Sequence, residues 1–315
     1  MTNKNKKNSA KDSLEESYTV FHGALIKKKA LSRRAFSFVS PGFLWSLIFL
    51  VIPCLALFLV SFASRGDYGQ IEWEFSTDTM KRLAGFGYFG WSADNMLIVW
   101  RSIVVAVVTT FICVVLSYPL AFFLASRPDK TRTIWLTLLL IPFWTNLVIR
   151  TYAWFLALAP NMPLAKLLAE VGAIEPGTPL YPSTFAVYIG MVSVFLPFVA
   201  LPLYTAVEKM DWALVEAARD LYSGGWRVFR HAILPQTMPG LSVGITLTLV
   251  PAMGMFVIPD MLGGSRYMLI GNLIQQQFGT SRDWPFGAAL SLVLMFLTLS
   301  ALMVSRRHAL KKGEA

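Results

Sequence analysis

The chain has 315 residues, 55% hydrophobic and only 15% charged, with a formal net charge of +10. A water-soluble domain usually carries nearer a quarter of its residues as charges; here the few charges are also gathered into short stretches, so lipid is the better solvent for most of the chain. Cys54 and Cys113 lie far apart in apolar segments and His22, His231 and His308 are scattered, which excludes a disulfide framework and any metal-ligand spacing. Both cysteines read as small buried hydrophobes.

Residues 1–34 form a polar tail rich in lysine, including Lys27, Lys28 and Lys29. The first apolar segment, at 43–63, is longer than a signal-peptide core and has no small-residue cleavage site, so it reads as a retained anchor. Further apolar segments follow at 97–125, 134–158, 183–206, 238–259 and 286–304. Each is long enough as a helix to cross a hydrocarbon core of about 30 Å. The third is the least uniform, being interrupted by Pro142, Asn146 and Arg150. The expected fold is an all-α membrane protein with six transmembrane helices, its membrane domain spanning 35–306 and a second short tail covering 307–315.

Charge sets the orientation. With both termini cytoplasmic, twenty of the 28 Lys and Arg residues lie inside and six lie in outer loops, as the positive-inside rule requires. Arg101 and Arg150 fall in or beside spans. The basic surplus then reflects topology and anionic lipid headgroups rather than nucleic acid. The outer loops hold nine acids against their six bases, a weak bias toward a cationic solute.

Five of the six spans contain proline: Pro53, Pro119, Pro142, Pro197 with Pro202, and Pro251. Each removes a helical N–H and leaves a carbonyl to be satisfied elsewhere. Such breaks suit helices that line a moving, partly hydrated pathway, and packing kinks account for them equally well one by one.

The most specific pattern lies between the fourth and fifth spans, at about 207–237. Val207, Met210, Leu214 and Ala218 recur at helical spacing as an apolar stripe. Glu208, Asp211, Glu216, Arg219 and Asp220 flank it with charge. Ser223, Gly224 and Gly225 break the helix, and a second short one starts at Trp226. An amphipathic helix lying on the membrane surface has the same pattern. Glu216, Ala217 and Ala218, followed at fixed distance by Ile233, Leu234 and Pro235, resemble the EAA loop of permease subunits of bacterial ABC importers. That resemblance implies a type I importer permease architecture, in which the loop, here with Asp220, Gly224 and Gly225, docks into a groove of a separate ATPase. Tyr222 stands where the family usually has glycine.

The chain contains no G-x-x-x-x-G-K-[ST] phosphate loop, so it is expected to be no enzyme and to bind no cofactor, with ATP and Mg handled by the partner. Three further stretches, Ile141 to Tyr152, Pro251 to Gly264, and Leu269 to Ile274 with Arg282 to Ala289, are similar to the B-type permease of spermidine/putrescine importers. The resemblance covers roughly 40–305. It implies an inner-membrane complex with two ATPase copies, a second related permease and a periplasmic substrate-binding protein. Substrate would then cross by alternating access.

For a polyamine the pathway needs carboxylates and aromatic faces. Asp260 is the acidic candidate; Trp144, Tyr152, Tyr188 and Phe256 are the aromatic ones, and Asn146 a polar one. The interfacial aromatic belt competes for Tyr188. Arg150 is expected to pair with an acid or to snorkel outward. Met255 stands where some relatives carry glutamate, which leaves room for another solute such as an opine, a phosphonate or ferric iron. A secondary transporter working alone is the reading from a different class, and paired intramembrane carboxylates are missing for it.

Overall fold

The computed structural model describes residues 40–87, 90–221, 224–264 and 267–313; the tail 1–34 and Tyr222 lie outside the described residues. The chain divides into two units, Met1–Leu57 and Phe58–Ala315. Helix α1, Ser40–Val60, contains no buried residue. Its apolar side chains are left for lipid, and Cys54 is only half-buried there, contrary to the buried role its setting suggests.

The second unit opens with an extramembrane stretch. It holds the hairpin β1–β2 (Ser64–Arg65, Ile71–Glu72), helix α2 (Asp78–Leu83) and the hairpin β3–β4 (Phe86–Gly87, Gly90–Trp91). The apolar helices follow: α3 (Asp94–Ala125), α4 (Asp129–Trp144) with α5 (Leu147–Ala157), and α7 (Thr184–Glu208). Helix α6, Pro163–Glu170, lies between α5 and α7. After the loop helix α8 (Trp212–Leu221) come α9 (Gly225–Val228), a π turn at Phe229–Ile233, and α10 (Leu234–Met253). A second π turn (Pro259–Gly263), α11 (Ile270–Phe278) and α12 (Trp284–Gly313) complete the described chain.

Among the described residues five helices are each long and apolar enough to cross a membrane, and the bent pair α4–α5 adds a sixth when it is counted as one span. The bend is 96°, and its cause is local. Thr145 and Asn146 are extended, Pro142 sits two residues before the end of α4, and the Asn146 side chain accepts from Val148 N at 2.8 Å to start α5 afresh. In α3 and α7 proline does not break the span: Pro119 lies inside α3, and Pro197 and Pro202 inside α7.

The core is built on small residues. Ser102, Ala106, Thr109, Cys113, Ser117 and Ala121 form the buried stripe of α3, spaced three or four residues apart so that a neighbouring backbone can approach. Ala186, Met191, Val194 and Val199 of α7 share one buried cluster with Ala106 and Cys113 of that stripe. On α10, Gly240 and Gly244 form a G-x-x-x-G pair: a Cβ on Gly240 would stand 2.4 Å from the Pro202 carbonyl oxygen, and one on Gly244 3.0 Å from Val199 Cα. Any side chain there would force α10 off α7.

Two polar clasps join the elements at their ends. Arg132 reaches from the first turn of α4 to Glu208 at the end of α7, 2.8 Å away. At the start of α12, Asp283 is 2% exposed and accepts from Arg82 Nη1 at 2.8 Å and from Phe286 N at 3.2 Å, with Arg65 at 4.0 Å. The Arg82 guanidinium also lies 4.5 Å over the Phe286 ring. One carboxylate thereby caps α12 and anchors the extramembrane stretch to it.

Candidate functional site

The loop between α7 and α10 is a short helix strapped to the base of a long one. Asp211 ends the turn after α7, and its carboxylate accepts from Ala213 N at 2.9 Å, capping α8. Gln236, on the first turn of α10, accepts from Asp211 N at 2.8 Å and donates to Ala232 O at 3.0 Å. Beneath this bracket Met210, Val215, Ala218, Val228 and Ala232 form a separate apolar cluster, with Phe122 and Ile233 packed on it. Full burial of Val215 alone contributes on the order of 2 kcal/mol.

That packing shifts the expected stripe. Val207, Met210 and Ala218 are buried as the spacing predicts, but Leu214 is 56% exposed and Val215 is buried instead. The helical phase restarts at Asp211, so a period counted through from Val207 lands one residue early. Of the alanine pair only Ala217 faces outward. Glu216, Asp220, Gly225 and Pro235 are exposed, and Gly224 is extended as the N-cap of α9. The exposed surface adds Trp212, Leu214, Leu221 and Trp226, so large apolar side chains stand among the charged ones. The expected second short helix, α9, runs through the π turn into α10, giving one helical stretch from Gly225 to Met253.

The fifth span ends earlier than the hydropathy suggests. Gly254, Met255 and Phe256 are non-helical, and the chain turns helical again only for 257–263. Phe256 is 41% exposed, and Asp260 is exposed on the turn beyond it. The other candidates gather at the α4–α5 bend. Trp144 is 87% exposed at the end of α4, Asn146 is occupied as the α5 cap, and Tyr152 stacks on Phe155 at 5.7 Å. Helix α5 packs against both the Pro259–Gly263 turn and α7, so the bend and the Asp260 turn are neighbours.

Tyr188 stands apart on α7, half-buried and hydrogen-bonded to Tyr267. Burial, with Tyr188 adding to it, pushes the Tyr267 phenol up to about 12, so it stays protonated and able to donate. Of the two outcomes expected for Arg150, pairing with an acid is not seen among the described residues. Its Nε and Nη1 are enclosed with no hydrogen-bond partner among the described residues.

Apolar spans closed on small residues, a broken fifth span and an exposed, strapped loop helix define the membrane-embedded component of a transport system. Residues 117–312 match the family described as binding-protein-dependent transport system inner membrane component, and the chain belongs to that family. It is 40% identical over 250 residues to the spermidine/putrescine transport system permease protein PotB of Salmonella typhi, covering 79% of this chain and 85% of that one. To PotB of Escherichia coli (strain K12) it is 39% identical over 260 residues, covering 82% and 92%. The inner membrane ABC transporter permease protein YdcU of the same strain is 28% identical over 216 residues, 64% and 68% of the two chains. In fold it is similar to a chain of a bacterial ABC transporter involved in the import of the acidic polysaccharide alginate, with a TM-score of 0.64 at 16% identity over 90% and 98% of the chains. The multi-pass, inner-membrane architecture follows from these relatives and from the apolar helices.

Proposed function

We propose that the chain is one of two permease subunits of an ATP-driven polyamine importer and forms half of the pathway for spermidine or putrescine. The observation that carries this reading is identity of 37–40% to spermidine/putrescine permeases, extending over 85–92% of their length. Both termini lie in the cytoplasm, a second related permease completes the pathway, and a periplasmic binding protein delivers the substrate. Two ATPase copies hydrolyse ATP with Mg; the chain itself binds no cofactor and catalyses no reaction.

In this reading α8 is the coupling helix. Its exposed surface, with Trp212 and Leu214 on opposite flanks, enters a groove on the ATPase while Glu216, Asp220 and Arg219 set its register. Closure of the ATPase dimer pulls on α8, and the Gln236 bracket passes that displacement to α10. Asp260, Phe256 and the aromatic residues at the α4–α5 bend supply the negative charge and ring faces that an ammonium prefers to bare hydrocarbon.

Assembly with its partners in liposomes tests the proposal. Spermidine or putrescine, presented with the binding protein, should stimulate ATP hydrolysis and uptake. Glu216→Lys should abolish uptake while leaving the complex assembled. Wild-type uptake by that variant would remove the coupling role from α8, and ATPase activity indifferent to every polyamine would remove the substrate.

A further inference from the structure

The far edge of the break in the fifth span is braced by a side chain that the proposed function leaves without a role. Where a helix is interrupted inside a membrane, the released backbone groups need partners from neighbouring protein. Here α11 packs against the interruption and gives the Phe256 carbonyl beside it a second donor. The Asn272 side-chain amide donates to the Phe256 carbonyl at 2.9 Å, and that carbonyl also accepts from Asp260 N at 3.0 Å. Asn272 is 9% exposed, and its own carbonyl oxygen accepts from Leu269 N at 3.4 Å.

The rest of α11 is fixed through α3. Ile270 N donates to Ser102 Oγ at 2.8 Å, and Ser102 donates in turn to Ile98 O at 2.8 Å on α3. Leu269 and Ile270 are buried. Gly271 lies directly against the interruption: a Cβ there would stand 2.5 Å from the Gly254 carbonyl oxygen. A helix anchored to α3 therefore meets the three-residue break with a glycine for close approach and an amide for its carbonyl.

We infer that Asn272 is a positioning residue of the pathway: its amide fixes the Phe256 backbone, and through it the Phe256 ring and the Asp260 carboxylate that face away from the core. Both of its groups are committed to backbone, so it makes no substrate contact of its own. The amide is the right group for this, because it offers a donor to the carbonyl and an acceptor to Leu269 N without burying charge. Aspartate has the same shape but only accepts when ionised, and would set a second acceptor against the Phe256 carbonyl.

The inference rests on the polyamine reading only in its uptake arm. In the assembled importer, Asn272→Asp and Asn272→Ala should raise the apparent KM for labelled putrescine or spermidine on the order of tenfold. Vmax should stay within about twofold, and Asn272→Gln, which keeps the donor, should recover at least half of the loss. An unchanged KM, or a fall in Vmax alone, overturns the positioning role. A second arm needs no transport. Phe256→Cys is placed in a Cys54→Ser, Cys113→Ser background and labelled in membranes with an impermeant maleimide. Adding Asn272→Ala should change the labelling rate at least threefold, whereas equal rates overturn the inference. If the unmodified importer takes up neither amine, the substrate reading fails and the labelling result still decides the role of Asn272.

Discussion

Replacing Arg82 with Met should destabilise the protein more than replacing the carboxylate that Arg82 serves. Asp283 is 2% exposed while the Arg82 side chain is 36% exposed, so the two partners differ in what they leave behind. Arg82→Met keeps an apolar stem over Phe286 but strands a buried carboxylate with Arg65, 4.0 Å away, as its remaining cation. Orphaning a buried charge costs about 3–5 kcal/mol, and Arg65 holds this case to about 3 kcal/mol. Asp283→Asn leaves an arginine that turns to water and an amide oxygen still able to cap Phe286 N, so the cost is about 1–2 kcal/mol. The double variant should fall near ~2 kcal/mol and be more stable than Arg82→Met alone. At about 2–3 °C per kcal/mol for a chain of this size, thermal unfolding of the purified protein in detergent should drop about 6–9 °C for Arg82→Met. It should rise again by about 2–3 °C when Asp283→Asn is added. A double variant that melts below Arg82→Met would refute the asymmetry, and with it the view of Asp283 as a buried charge needing its partner.

Glycine 271 should tolerate no side chain: Gly271→Ala drives a Cβ into the Gly254 carbonyl, and membrane levels of the protein should fall severalfold on immunoblots. Gly225→Ala meets nothing within 4 Å and should match wild type. Gln236→Leu removes the side chain that brackets Asp211 and Ala232, about 1–2 kcal/mol of local hold on α8. Uptake per ATP hydrolysed should fall at least threefold in vesicles, with complex assembly unchanged by native electrophoresis.

Hydropathy locates the membrane segments because about 20 apolar residues in succession leave few alternatives in lipid. Span ends are less legible. The fifth span stays apolar past Met253 while its backbone stops being helical at Gly254, and composition is blind to that difference. Pro142 and Asn146 signal the irregularity in the third span, but only Asn146 acting as a cap turns it into a new helix. The caps Ser183, Asp211 and Asp283 precede their helices as ordinary polar residues, a signal that is present in the sequence and that hydropathy passes over. The Leu214 stripe fails for the same reason, since Asp211 restarts the helical count. Asn272 and Ser102 cannot be linked from sequence, because one braces the Phe256 carbonyl beside a break that hydropathy does not reveal and the other holds the first N–H of α11, far apart in the chain.

The π turn at Phe229–Ile233 has a consequence for how this chain tolerates change. It accommodates one residue more than α-helical winding would between α9 and α10. Deleting any one of those five residues would leave a smooth helix with its backbone hydrogen-bond ladder closed. It would leave the Gly225 end at nearly the same phase around the axis of the fifth span, because the π turn already absorbs the residue that α-helical winding would turn into a rotation of about 100°. A deletion just outside the π turn has no such outlet and would rotate the Gly225 end by about 100°, making the phase of this stretch, more than its composition, the quantity that inheritance has to preserve.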